Sequence, residues 1–208
     1  MAEAQQWLGE ICHPFGTRRS YTTMLRIFEN ALFHKANGDG DLKTAIGELI
    51  RLAADSAKST SASLYVLGPN QAVLQPLATL GLPEQYVQAC GDVRVGDQCC
   101  GRAVQQRKPW IVSDMLEDPL FASAKKAAQV SPIRAAFSVP VIDERGVCLG
   151  SLGCHYDHPH VPAKEDIERN EIWASMIAHM ISPYCGQTGA QPAAVLQKTQ
   201  RMQQDERF

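Results

Sequence analysis

The feature that most constrains this chain is a pair of tight-turn hairpins. Arg134 to Ile142 and Val147 to Tyr156 read as strands, joined by Asp143-Glu144-Arg145-Gly146. Upstream, Ser63-Leu64-Tyr65-Val66-Leu67 alternates in character, Gly68-Pro69-Asn70-Gln71 turns, and Ala72 to Thr79 forms a second run. Two strand-like runs separated by a short turn pair antiparallel. A fold built on two such hairpins is not one of alternating βα units, so a dinucleotide-binding sheet is excluded.

Helical patterns frame the hairpins. From Tyr21 to His34, Met24, Leu25, Ile27, Phe28, Ala31 and Leu32 recur at spacings of three and four, which is one apolar stripe of a helix. Asn37-Gly38-Asp39-Gly40-Asp41 interrupts it. A second helix is predicted from about Asp41 through Ile46, Leu49, Ile50, Leu52 and Ala53, and a last one over Ala163–Ile181, opened by Pro162. Between the hairpins the sequence predicts a helix over Pro83–Ala89 and a brief strand over Asp92–Val95. It then predicts a helix over Cys99–Gln106 after Gly96 and Asp97, a strand at Pro109-Trp110-Ile111-Val112, and a loop with a weak helix over Asp118–Val130. The expected architecture is α+β, with a six-stranded antiparallel sheet. The expected organisation is an N-terminal helical extension over 1–40, a domain over 41–183 and a flexible tail over 184–208, where Gly, Gln and Pro give way to polar residues.

Composition removes several functions. Twenty basic and 22 acidic residues leave no field that would gather nucleic acid or anionic lipid, and Arg18-Arg19 and Lys125-Lys126 are too short for a basic stripe. No apolar run approaches the roughly 20 residues that span a bilayer. The seven cysteines form no CxxC pair and follow no secretion signal, which points to a reducing cytoplasm. No Walker loop, dinucleotide glycine motif or Ser-His-Asp arrangement is present, and Gly146 and Gly150 stand at hairpin positions.

Several strings in this order resemble a GAF domain: Gly101-Arg102-Ala103, Pro109-Trp110-Ile111-Val112-Ser113-Asp114, Asp118-Pro119-Leu120-Phe121, Ile133 through Val141, and Gly146-Val147-Cys148-Leu149-Gly150-Ser151-Leu152. The resemblance spans roughly residues 42–183. It implies helices from both ends of the domain on one sheet face and a small-molecule pocket on the other, roofed by the segments between strands. It further implies a sensor in signal transduction rather than an enzyme, with no cofactor, working as a homodimer beside a histidine kinase or other regulator of a two-component system. The roughly 25 residues after the last helix suggest a stand-alone sensor, similar in this to nitrate receptors of the family.

The resemblance and the residues together nominate Cys99, Gly101, Trp110, Phe121, Arg134, Ala135, Ala136, Ser138 and His155 as ligand contacts. Cys99-Cys100-Gly101 opens a predicted helix, where free amides and the dipole favour a thiolate or anion; equally, one cysteine packs inward and the glycine permits a tight turn. Arg134 either aims its donor fork at a carboxylate, nitrate or phosphate, or is an exposed strand-end arginine. Asp114 reads as a turn cap. Trp110 and Phe121 are pocket walls or ordinary core.

His155, His158 and His160 raise a metal or haem reading, but Pro159 and Pro162 put the last two in a loop and no further ligands complete a zinc set. Two rival classes stand beside the sensor. One is a thiol-based redox sensor, or an enzyme like the family's free methionine sulfoxide reductase, although Ser113 to Ile133 lacks the cysteine which that resemblance requires. The other is a ligand-free dimerisation scaffold.

Overall fold

A computed structural model describes residues 40–119, 125–129 and 131–185. The predicted helix over Tyr21–His34, Phe121 and most of the tail lie outside the described residues. In chain order the elements are α1 (Gly40–Ala57), β1 (Ser61–Leu67), β2 (Val73–Leu80), α2 (Glu84–Cys90), β3 (Val93–Arg94), α3 (Gln98–Gln106), β4 (Trp110–Val112), α4 (Lys125–Gln129), β5 (Ala135–Ile142), β6 (Cys148–Tyr156) and α5 (Lys164–Ile181). The strands form one antiparallel sheet in the order β3-β2-β1-β6-β5-β4, so both predicted hairpins are present and are zipped together through β1 and β6.

Alternation along the strands divides the sheet into two unlike faces. Ala62, Leu64 and Val66 of β1, Phe137 and Val139 of β5, and Leu152, Cys154 and Tyr156 of β6 point to the face covered by α1 and α5. There they meet Ile46, Leu49 and Ile50 of α1 and Trp173, Met176 and Ile177 of α5. Full burial of each such side chain is worth about 1.5–3 kcal/mol. Polar atoms fix the register of this layer. The Tyr156 hydroxyl donates to Ala57 O at 2.9 Å, and the Trp173 indole donates to Ser56 Oγ at 3.3 Å. The buried Asn170 amide donates to Asp166 O at 3.0 Å.

The apolar side of α5 is thus turned onto its own sheet. Lys164, Glu165, Glu168 and Glu171 are what α5 shows to solvent.

At its far end α5 is clipped to the β5–β6 turn. Asp143 accepts from the backbone N–H of Val147 at 2.8 Å, from the Arg145 guanidinium at 2.7 Å and from the Ser182 hydroxyl at 2.9 Å. Burial alone would raise this carboxyl. The Val147, Arg145 and Ser182 hydrogen bonds outweigh that effect and hold it down to about 2.

Strand β2 runs one residue further than expected, to Leu80. A bulge against β1 between Leu64 and Tyr65 sets Pro76 opposite Tyr65. Proline, having no N–H, is tolerated there because the short β3 pairs only with Val73 and Leu74 of β2.

Candidate functional site

The second sheet face is lined by small polar side chains and roofed by α2, α3 and α4. Residues directly opposite in an antiparallel pair share a face. One rung runs Trp110–Ser138–Gly153–Ser63 across β4, β5, β6 and β1, and the next runs Val112–Ala136–His155–Ser61. The serines of these rungs are buried, with Ser61, Ser63 and Ser138 each at most 2% exposed. Tyr86 of α2, Cys99 of α3, Met115 and Ala127 and Ala128 of α4 close over them.

Polar contacts on this face converge near Gly153. The Ser63 Oγ and His155 Nε2 are 2.9 Å apart. A Cβ placed on Gly153 would lie 3.1 Å from Ser138 Oγ, 3.3 Å from Ser63 Oγ and 3.4 Å from His155 Nε2. The Tyr86 ring stands edge-on to the imidazole with centroids 6.0 Å apart. Burial holds His155 down to about 4, so the ring is neutral at ordinary pH.

Four buried side-chain atoms have no hydrogen-bond partner among the described residues, and all belong to elements of this face: Ser61 Oγ, Arg102 Nη2, Trp110 Nε1 and His155 Nδ1. Buried polar atoms are ordinarily paired, so four orphans gathered on one side are informative. The indole and guanidinium nitrogens can only donate. The Arg102 guanidinium stacks 5.6 Å from the Trp110 ring centroid and meets Asp118 Oδ2 at 3.2 Å. Its side chain is only 5% exposed.

The sequence candidates fall in different places. Ser138, His155, Ala136 and Trp110 stand together on the roofed face. Ala135, one residue from Ala136, necessarily points the other way and packs under α1 and α5. Arg134 precedes β5 and is locked in a two-toothed pair with Asp114, Nη2 to Oδ2 at 2.6 Å and Nε to Oδ1 at 3.2 Å. Asp114 is indeed a turn cap, accepting from Leu116 N–H at 3.0 Å.

Gly101 serves packing: a Cβ there would fall 2.2 Å from Arg94 O, so only glycine lets α3 lie against the β3 turn. Cys99 points inward, its Sγ 3.4 Å from Trp110 O, and burial raises its thiol to about 12; that of Cys90 rises to about 11. The thiolate is the reactive form, and burial disfavours it at both residues. His158 is exposed beside Asp157, and among the described residues no three His, Cys, Asp or Glu side chains are grouped to hold a metal ion.

Ser63 and Tyr86, which no motif contains, and Arg102, quoted only within the Gly101-Arg102-Ala103 string, also line the candidate site. A charged residue on a short helix reads as solvated, and a strand serine reads as facing water. The available signal was that the polar side of the central strands carries serine and glycine rather than lysine or glutamate.

Comparison with known proteins agrees with this arrangement. The stretch 41–182 matches the GAF domain family. The chain is 22% identical over 154 residues to the methyl sulfide methyltransferase-associated sensor of Methanosarcina acetivorans, an alignment covering 73% of this chain and 15% of that protein. In fold it is similar to a domain assigned to a two-component sensor histidine kinase protein from Sinorhizobium meliloti 1021, with 18% identity, a TM-score of 0.60 and coverage of 70% and 94% of the two chains. It is also similar to the type II free methionine-R-sulfoxide reductase of Thermoplasma acidophilum, with 20% identity, a TM-score of 0.54 and coverage of 69% and 96%. At such identities these structures speak to the fold alone. No helix among the described residues is long and apolar enough to cross a membrane. With the family match covering most of the chain and the sheet order, helix layer and roofed face in place, this chain belongs to the GAF domain family.

Proposed function

We propose that this chain is a cytoplasmic sensory GAF domain that binds a small molecule on the roofed sheet face and signals through the packing of α1 and α5. The observation that carries this reading is the set of orphaned polar atoms, Ser61 Oγ, Arg102 Nη2, Trp110 Nε1 and His155 Nδ1, over a floor of serine and glycine. Each buried group without a partner costs about 1–3 kcal/mol. A ligand that supplies the missing partners returns that energy, and does so only when the roof is closed.

The ligand class favoured is a small anion such as nitrate, because the orphans of fixed role are donors. The output is a partner histidine kinase or other two-component regulator, as in the sensor families this chain is similar to. Because the α5 stripe is occupied by the sheet, a homodimer would use the apolar stripe of the sequence over Tyr21–His34. Ligand-driven signalling requires different affinities for two packings of the helices, not binding alone.

The test is thermal unfolding of the purified protein against nitrate, nitrite, cyclic nucleotides, methionine sulfoxide and the common amino acids. A ligand at a hundred times its dissociation constant stabilises the fold by about 2.7 kcal/mol. A saturable shift with one compound supports the sensor. A protein that no compound moves would defeat it in favour of a scaffold.

A further inference from the structure

We propose that Gly153 is the seat of the ligand's head group, and that this head group is a planar, singly charged oxoanion held by the hydroxyls of Ser63 and Ser138, with His155 orienting Ser63. The inference rests on the sensor reading above and adds the residue that sets the size of the ligand and the charge it carries.

The seat follows from the missing side chain. Ser138 Oγ, Ser63 Oγ and His155 Nε2 surround the Cβ direction of Gly153 at 3.1, 3.3 and 3.4 Å. An oxygen approaching along that direction meets two hydroxyls and an imidazole. A run of small residues would not by itself make a site. Here the imidazole is only 8% exposed, aims Nε2 at the seat and carries an unpaired Nδ1. When Nε2 carries the ring proton and donates it to Ser63 Oγ, the Ser63 hydroxyl proton is free to turn, with that of Ser138, toward the seat. The rung continues from Gly153 through Ser138 to Trp110, over which Arg102 lies, so two further orphaned donors extend the same row.

Charge limits the ligand. Among the described residues, two cations on this side each face a carboxylate, Arg102 with Asp118 and Arg134 with Asp114. His155 is neutral, and the Cys99 and Tyr86 protons are held more tightly than usual by burial. A cationic head group finds no carboxylate to spare among the described residues of this site. A dianion would bring two charges to a balanced site and lose its hydration without compensation. One negative charge spread over flat oxygens is desolvated most readily and is met by the unpaired Arg102 nitrogen. Such a head group occurs in inorganic nitrate and nitrite and at the carboxylate end of a small organic acid.

The experiment is calorimetric titration of wild type, Gly153→Ala and Ser63→Ala with sodium nitrate, nitrite, formate, acetate and sulfate. The expected result is saturable binding of at least one planar monoanion, no binding of sulfate, and affinity weakened about tenfold or more by the methyl of Gly153→Ala. Ser63→Ala is expected to weaken the same ion by about tenfold. It keeps the test decisive if the tight contacts of Gly153→Ala prevent folding. Nitrate or nitrite binding without acetate binding identifies an inorganic ligand, and the reverse identifies an organic acid; either supports the seat.

The proposal is overturned if sulfate binds as well as the monoanions, or if either folded variant binds like wild type. It is also overturned, with the sensor reading intact, if no monoanion binds but an uncharged or cationic compound of the thermal panel does. If nothing in either panel binds, both readings fall.

Discussion

Acidification should expose the enclosure of His155 as a loss of stability. The imidazole is held to about 4 by burial, whereas a solvated histidine in the unfolded chain titrates near 6.5. Below that value the unfolded chain takes up a proton that the folded protein refuses. The stabilisation from keeping the ring neutral is therefore complete above about pH 6.5 and fades as the pH falls toward 4, at about 1.4 kcal/mol per unit. Between about pH 7 and about pH 5 the loss from this one group is about 2 kcal/mol. The assay is urea unfolding of ligand-free wild type and His155→Gln at both pH values. The glutamine is polar and of similar length but does not titrate. Contributions from other groups are common to both proteins and cancel in the difference, so wild type should lose about 2 kcal/mol more than the variant. Equal losses would show that His155 is solvated in the folded protein, and the enclosed site would then be wrong.

Three further outcomes test other parts of the fold. Gly101→Ala forces a methyl against Arg94 O and should cost about 3 kcal/mol or prevent folding, read as a fall in the unfolding midpoint; a neutral effect would mean that α3 is not seated on the β3 turn. Asp143→Ala removes the clip between the β5–β6 turn and Ser182 and should cost about 2 kcal/mol in denaturant unfolding. Because the Asp143 carboxyl is held down to about 2, its stabilisation is full above about pH 4 and lost as the pH falls through 2, and the variant should lack that acid-dependent component. Cys90 and Cys99, enclosed and protonated, should be alkylated by iodoacetamide at neutral pH no faster than the protein unfolds; rapid labelling of folded protein, read by mass spectrometry, would contradict their placement.

The layout of the sheet was legible because its signals are local. Asp143 to Gly146 and Gly68 to Gln71 mark their turns chemically, and Ile167, Ile172, Met176, Ile177 and Met180 recur along the last helix as one inner face. The site was legible only in part because its membership depends on facing. Ala135 and Ala136 are indistinguishable in composition, yet strand alternation sends one to each face. Arg134 carries the same donor fork as Arg102, and only the fold reveals that Asp114 grips the first through two bonds while Asp118 leaves a buried nitrogen of the second unpaired. A salt bridge across twenty residues leaves no trace in spacing. The roof over Ser63 comes from three segments distant in sequence, so the burial of that serine is a tertiary property.

The strand order also has a temporal consequence. The central pair joins the first strand to the last, with Ser61 opposite His155 and Val66 opposite Gly150. During synthesis, β1 and β2 leave the ribosome early and can zip at once, but β1 then waits with one edge bare until β6 arrives. Long-range pairing of this kind places folding among the slower classes, from milliseconds to seconds. Until β6 closes the gap, the apolar row of Ala62, Leu64 and Val66 beside an unpaired edge is a template for strands of neighbouring nascent chains. Aggregation at high expression should therefore depend on how fast the last hairpin docks, and pairing-deficient changes in β6 should lower soluble yield more than equally destabilising changes in β3.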